Sequence, residues 1–103
     1  MFGTIKKILG IGPSVNFSEL VAAGAQIIDV RSESEFKSGH IKGSINIPLN
    51  VLNSKVSKLK KERVVITCCA SGMRSASAKS ILKSRGYEVY NGGGWMSLRN
   101  KLN

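Results

Sequence analysis

Cys69 heads a short segment, Cys69-Ala70-Ser71-Gly72-Met73-Arg74-Ser75, in which a thiol is followed by small residues, a permanent cation and a hydroxyl. Before it runs Val64-Val65-Ile66-Thr67-Cys68, a β-branched stretch of the kind buried on both faces in a central strand. After it, Ser75 to Arg85 reads as a helix closed by Gly86. A cysteine between a strand end and a helix start sits where backbone N–H groups converge and the helix dipole is positive. Such a site favours the thiolate, which is the attacking form of the residue. Ala70, Ser71 and Gly72 let the backbone curl closely around the sulfur, and Gly72 can take a positive φ. Arg74 suits two jobs equally, direct contact with an anionic substrate or bracing of the loop against an acid such as Glu35.

Other residues invite chemistry and have plainer readings. Cys68 and Arg74 are separated by five residues, the Cys-x5-Arg spacing of a phosphate-binding loop. Counted from Cys68, however, the position three residues on is Ser71, whereas from Cys69 it is Gly72, and Thr67 stands where such phosphatases carry a histidine. The loop from Cys69 to Arg74 makes a smaller cradle, better matched to one sulfur than to phosphate or arsenate, so a phosphatase or arsenate reductase is the lesser alternative. Cys68 itself reads as a small core residue. His40, in Gly39-His40-Ile41, reads as a turn residue bonded to backbone. Asp29 and Arg31 end a strand, at the edge where α/β sites assemble, and an ion pair that orders the loops explains them as well as a supporting role. Trp95, after three glycines, reads as a core anchor.

The elements that position this loop alternate between strand-type and helical patterns, as in an α/β domain with a mainly parallel sheet. Asn16 and Glu19 have the spacing of a capping box before a helix from Phe17 to Ala23 that Gly24 ends. Gln26 to Val30 reads as a buried strand. Ser32-Glu33-Ser34-Glu35 opens a second short helix with another box-like spacing, stopping near Gly39. Ser44 to Ile47 predicts a short strand ended by Pro48, and Leu49 to Leu59 has helical spacing. Tyr87 to Tyr90 is the last predicted strand, and Gly92-Gly93-Gly94 is predicted to turn into a terminal helix holding Trp95, Leu98 and Leu102. Residues 1–12 find no place in this scheme and are set apart as an N-terminal extension, leaving a single domain over 13–103.

The chain's 103 residues suffice for one core, with 42% apolar and 21% charged residues. Sixteen Lys and Arg against six Asp and Glu give a net charge of +10, which favours anionic partners. With 6% aromatic residues, and none interleaved with the lysines, base-stacking platforms for nucleic acid are missing, so nucleic acid is not an expected partner. A non-enzymatic basic binding module is the third function class, and the run from Lys55 to Arg63 reads as a solvated face rather than a docking patch. The two cysteines, Cys68 and Cys69, are adjacent and supply no disulfide framework, which points to a reducing, cytoplasmic setting. No apolar run reaches the length of a membrane span, and the apolar stretch Ile8 to Ile11 is too short for a secretory signal.

The arrangement Cys-x-x-Gly-x-Arg-Ser from Cys69 to Ser75 resembles that of the rhodanese-like sulfurtransferases. So do Asp29-Val30-Arg31, Glu35-Phe36, Gly39-His40-Ile41-x-Gly43-Ser44-Ile45-Asn46-Ile47-Pro48 and Gly93-Gly94-Trp95, in the same order and with similar separations, covering residues 15 to 102. The resemblance implies a three-layer sandwich, a parallel five-stranded sheet between helices. It implies that Cys69 takes a sulfane sulfur from a donor such as thiosulfate, holds it as a persulfide and passes it to a nucleophile. The amides of Ala70, Ser71, Gly72, Met73, Arg74 and Ser75 would then cradle the extra sulfur, with Asp29, Arg31 and Glu35 in support. Sulfur displacement needs a thiolate and a good leaving group, so no cofactor or metal is expected. The implied partners are a small anionic sulfur donor and a thiol acceptor, either a small molecule or a thioredoxin-like protein, acting on a monomer away from membranes.

Overall fold

A computed structural model describes residues 15–103 of the chain, and the expectation for residues 1–12 lies outside them. Asn16 caps α1 (Phe17–Ala22) through its side-chain oxygen, which accepts the Glu19 amide at 3.1 Å. Strand β1 (Gln26–Asp29) leads to α2 (Glu33–Ser38), whose start is a complete capping box: Ser32 Oγ accepts the Glu35 amide and the Glu35 carboxylate accepts the Ser32 amide. Strand β2 (Ile45–Asn46) follows, then β3 (Val65–Cys69), α4 (Met73–Ser84), β4 (Val89–Gly94) and α5 (Trp95–Leu102).

The strands pair in the order β2-β1-β3-β4, all parallel, with Ile28 opposite both Ile45 and Thr67 and Thr67 opposite Asn91. Central β3 is buried along its whole length, as its β-branched run requires. One face of the sheet packs Ile28, Val65 and Cys69 against Leu52, Ala78 and Leu82. The other packs Ile27, Ile66 and Cys68 against Phe17 and Leu98. Helices on both faces of a parallel sheet make the three-layer α/β sandwich that the sequence predicts.

Several details differ from expectation. Four strands are present among the described residues rather than five. Leu49 to Leu59 is not one helix but a 3-10 turn (Leu49–Val51), a single α-turn numbered α3 (Leu52–Lys55) and a second 3-10 turn (Val56–Lys58). Its apolar spacing is helical, yet Asn50, Val51, Asn53, Ser54 and Val56 are weak helix formers. Gly92-Gly93-Gly94 lies within β4 instead of forming the turn after it. A Cβ at Gly94 would lie 2.9 Å from the Ala70 carbonyl oxygen, so glycine there serves the close approach of β4 to the thiol loop.

Candidate active site

Cys69 is the last residue of β3, and α4 begins only four residues later at Met73, two residues earlier than its expected start at Ser75. The chain makes this tight return through Gly72, which holds φ at +104° in the left-handed region. As a result the loop closes on the sulfur: the Gly72 amide lies 3.0 Å and the Ser75 amide 3.3 Å from Cys69 Sγ, with Ser75 Oγ at 3.4 Å. Thr67 Oγ1 donates to the Ser75 carbonyl at 2.9 Å and pins the first turn of α4 to β3. Burial pushes the Cys69 thiol up, but the hydroxyl and amide of Ser75 and the amides of Gly72 and Ser71 outweigh it. The thiol titrates below its ordinary value.

Cys68 is its opposite in every respect. Alternation along β3 points it to the other face of the sheet, among Phe17, Ile27, Ile41, Ile66 and Leu98. There burial, followed by the Asp29 carboxylate, pushes its thiol up to about 12. The loop amides gather on Cys69, so the Cys68-to-Arg74 spacing encloses no cradle.

Of the remaining loop residues, Ala70, Ser71 and Met73 are exposed, Met73 at 79%. Arg74 turns to Glu35: Nη1 and Nη2 lie 2.8 and 3.0 Å from the two carboxylate oxygens. Glu35 thereby joins the cap of α2 to the first turn of α4, and the Arg74 guanidinium, with the Ser32 amide behind it, draws its carboxyl down to about 2. The ion pair ties α4 to α2, the bracing arrangement that is one of the two expected for Arg74, and leaves three guanidinium N–H groups outside it. Asp29 and Arg31 form a buried fork-to-fork pair at 2.7 to 3.1 Å; Asp29 stands opposite Cys68 in the sheet and so on the face away from the Cys69 sulfur. Arg31 also donates to the carbonyls of Glu35 and Gly39 and stacks 4.6 Å from the centre of the Trp95 ring. The pair therefore holds α2, and with it Glu35, in place. His40 Nδ1 donates to the Phe36 carbonyl, 2.8 Å away, and its ring stacks on the Phe36 ring. It takes the turn role expected of it.

Asn91 escaped the sequence reading. Its Oδ1 lies 2.7 Å from Ser75 Oγ and 2.9 Å from the Gly93 amide. The only hint in the sequence is its place just before three glycines at a strand end. A cleft of about 490 Å3 opens beside Arg74, with Val30, Pro48 and Leu49 as its apolar wall and Ser32, Glu33 and Asn50 as polar neighbours. Among the described residues no three His, Cys, Asp or Glu side chains gather as a metal-ligand set, and no helix is long and apolar enough to cross a membrane.

A strand-ending cysteine wrapped by loop amides at the head of a helix defines a class of α/β protein, and comparison with known proteins identifies it. Residues 16–101 match the rhodanese-like domain, and the chain belongs to that family. It is 37% identical over 81 residues to the thiosulfate sulfurtransferase PspE of Escherichia coli, covering 76% of this chain and 78% of that one. It is 40% identical over 68 residues to YqhL of Bacillus subtilis, which covers 65% of this chain but only 54% of YqhL, about half of that relative's length. The structure of the human single-domain sulfurtransferase TSTD1 superposes with a TM-score of 0.71 at 29% identity, over 82% of this chain and 90% of that one.

Proposed function

We propose that the chain is a sulfurtransferase in which Cys69 carries the sulfur. The thiolate of Cys69 attacks the outer, sulfane sulfur of an anionic donor such as thiosulfate. A Cys69 S–S bond forms, the donor's own S–S bond breaks, and sulfite leaves with the electron pair. A thiol or cyanide then attacks the outer sulfur of the persulfide, leaves with it as a persulfide or thiocyanate, and restores the Cys69 thiolate. The observation that carries this reading is the convergence of the Gly72 and Ser75 amides on Cys69 Sγ, which stabilises the thiolate and offers donors to a bound sulfur. Ala70, Ser71, Met73 and Arg74 complete the loop, while Asp29, Arg31 and Glu35 hold it from behind. The net charge of +10 attracts a dianionic donor. The cleft beside Arg74 gives room for a thiol acceptor, a small molecule or the tail of a thioredoxin-like protein. Two adjacent free thiols fit a reducing, cytoplasmic setting.

The test is sulfur transfer from thiosulfate to cyanide by the purified protein, followed as thiocyanate, with a phosphate ester as control substrate. Intact mass after thiosulfate alone reports the gain of one sulfur atom on Cys69, removable by a reducing thiol. Ester hydrolysis without sulfur uptake would overturn the proposal.

A further inference from the structure

Asn91 stands on β4 opposite Thr67, next to the segment where the pairing of β3 with β4 slips by one residue. The extra residue and the positive φ of Gly93, +81°, turn the Gly93 amide back onto the Asn91 side chain. This fixes which way the carboxamide faces. Gly93 N–H can only donate, and it meets Oδ1 at 2.9 Å; the Gly72 carbonyl can only accept, and it faces Nδ2 at 3.4 Å. Oδ1 also meets Ser75 Oγ at 2.7 Å, so there the serine hydroxyl is the donor. Ser75 Oγ stands at the same time 3.4 Å from Cys69 Sγ and 3.0 Å from the Gly72 carbonyl oxygen. One hydroxyl proton serves all of these neighbours.

We propose that Asn91 is a positioning residue for Cys69: its Oδ1 competes with the sulfur for the single Ser75 hydroxyl proton, and so sets how strongly the sulfur is hydrogen-bonded. The proposal rests on the reading of Cys69 as the sulfur carrier. With Cys69 protonated, the chain Sγ–H to Oγ–H to Oδ1 is complete. When the thiol loses its proton, the serine hydroxyl either swings to the sulfur and gives up Asn91, or stays and turns an oxygen lone pair toward the thiolate. Either outcome costs about one neutral hydrogen bond, because the Gly93 amide keeps Oδ1 satisfied. The amides of Gly72 and Ser75 remain on the sulfur throughout. The competition has a chemical use, since nucleophilicity falls as a thiolate is made less basic, with a Brønsted slope of about 0.4–0.5.

The titratable and charged groups around Cys69 are few. Arg74 on α4 is paired with Glu35 of α2, and the Asp29–Arg31 pair lies on the opposite face of the sheet, the one that Cys68 shares. Cys68 faces the opposite side of β3 and stays protonated, and β4 brings no ionisable side chain to this face.

The experiment is the pH profile of iodoacetamide modification of Cys69 in the parent protein, Asn91→Leu, Ser75→Ala and the double variant. Asn91→Leu is expected to move the midpoint down by about half a pH unit, the worth of one neutral hydrogen bond. Its plateau rate should drop about 1.5- to 2-fold. In the Ser75→Ala background the same substitution is expected to move the midpoint by less than about 0.2, because the proton in contention is gone. A midpoint that stays or rises in Asn91→Leu overturns the proposal, as does an equal shift in both backgrounds. If Asn91→Leu does not fold, Asn91→Asp replaces it: the midpoint should rise, and by less once Ser75 is alanine. A rise that ignores Ser75 refutes the competition. Modification needs no sulfur donor, so variants that show these shifts beside a parent that transfers no sulfur would leave the role of Asn91 standing and remove only the sulfurtransferase reading.

Discussion

Two adjacent cysteines on opposite faces of one strand invite a quantitative test. With its thiol pushed up to about 12, Cys68 is ionised to roughly one part in 10^5 at pH 7. An ordinary thiol near 8.5 is ionised to about 3% at that pH, and Cys69 lies below its ordinary value and exceeds this. The thiolate populations thus differ by more than about 10^3. A more basic thiolate is intrinsically more reactive, and a Brønsted slope of 0.4–0.5 over 3.5 pH units returns a factor of about 40 to Cys68. The net preference for Cys69 is still about 100-fold, before the closed apolar packing around Cys68 slows reagent entry further.

The assay is brief treatment with iodoacetamide at pH 7, digestion and mass assignment of the label, repeated at pH 9. At pH 7 essentially all label is expected on Cys69, and the preference should shrink toward pH 9, because the lower-titrating Cys69 levels off first while Cys68 still gains tenfold per unit. In sulfur transfer, Cys69→Ser should lose at least ~10^3 of the rate. Cys68→Ala should stay within about threefold, since it removes only a small buried group. More than a tenth of the label on Cys68 at pH 7, or a folded Cys68→Ala that has lost transfer while Cys69→Ser keeps it, would refute the reasoning.

Three further outcomes follow from the supports of the loop. The Glu35 carboxyl is depressed to about 2 from an ordinary value of 4.5, so its stabilisation is fully present above about pH 4.5 and is lost as pH falls toward 2; melting curves of the parent and Glu35→Gln should differ at pH 6 and converge near pH 2. Asp29→Ala strands Arg31 without its partner in a buried site, and urea unfolding should show a loss of about 3–5 kcal/mol; a loss below about 1 kcal/mol would mean that the pair is not what holds α2. Gly94→Ala forces a shift of backbone at the Ala70 carbonyl, so melting temperature should fall, and iodoacetamide modification or sulfur transfer, measured where the variant is still folded, should fall about tenfold or more, because a small displacement of the loop misplaces the sulfur's donors.

Where local chemistry decides, the sequence was transparent. Val64 to Cys68 announced a buried strand because every residue in it is β-branched or small, and Ser32 with Glu35 announced a cap that the structure completes. Cys69 with Gly72 located the cradle because only one register of the loop puts glycine where the chain turns left-handed. Where a residue's purpose depends on a distant partner, the sequence was silent. Gly92 to Gly94 look like a turn by composition, and only distant neighbours explain why a strand should be made of them: the Thr67 carbonyl and Leu98 leave no room for a Cβ at Gly92, and the Ala70 carbonyl leaves none at Gly94. Asn91 carries no signal of its own because its three partners, Ser75, Gly72 and Gly93, are brought together by a one-residue slip in pairing that no pattern of hydrophobicity encodes.

The same long-range dependence decides how charge is arranged around the sulfur. An arginine five residues after a nucleophilic cysteine suggests a hand on the substrate, but both terminal nitrogens of Arg74 are already engaged by Glu35 at 2.8 and 3.0 Å. The pair uses two of the five guanidinium N–H groups, so a donor meets a cation whose charge is already balanced by a carboxylate that also caps α2. The task of meeting negative charge therefore passes to groups with no competing ion: the amides of Gly72 and Ser75, whose dipoles are fixed by the loop, and the field of a strongly cationic surface. Fixed amides act at one atom and lose strength over a larger anion. A cradle made this way suits a single transferred sulfur, with the remainder of the donor left outside to depart.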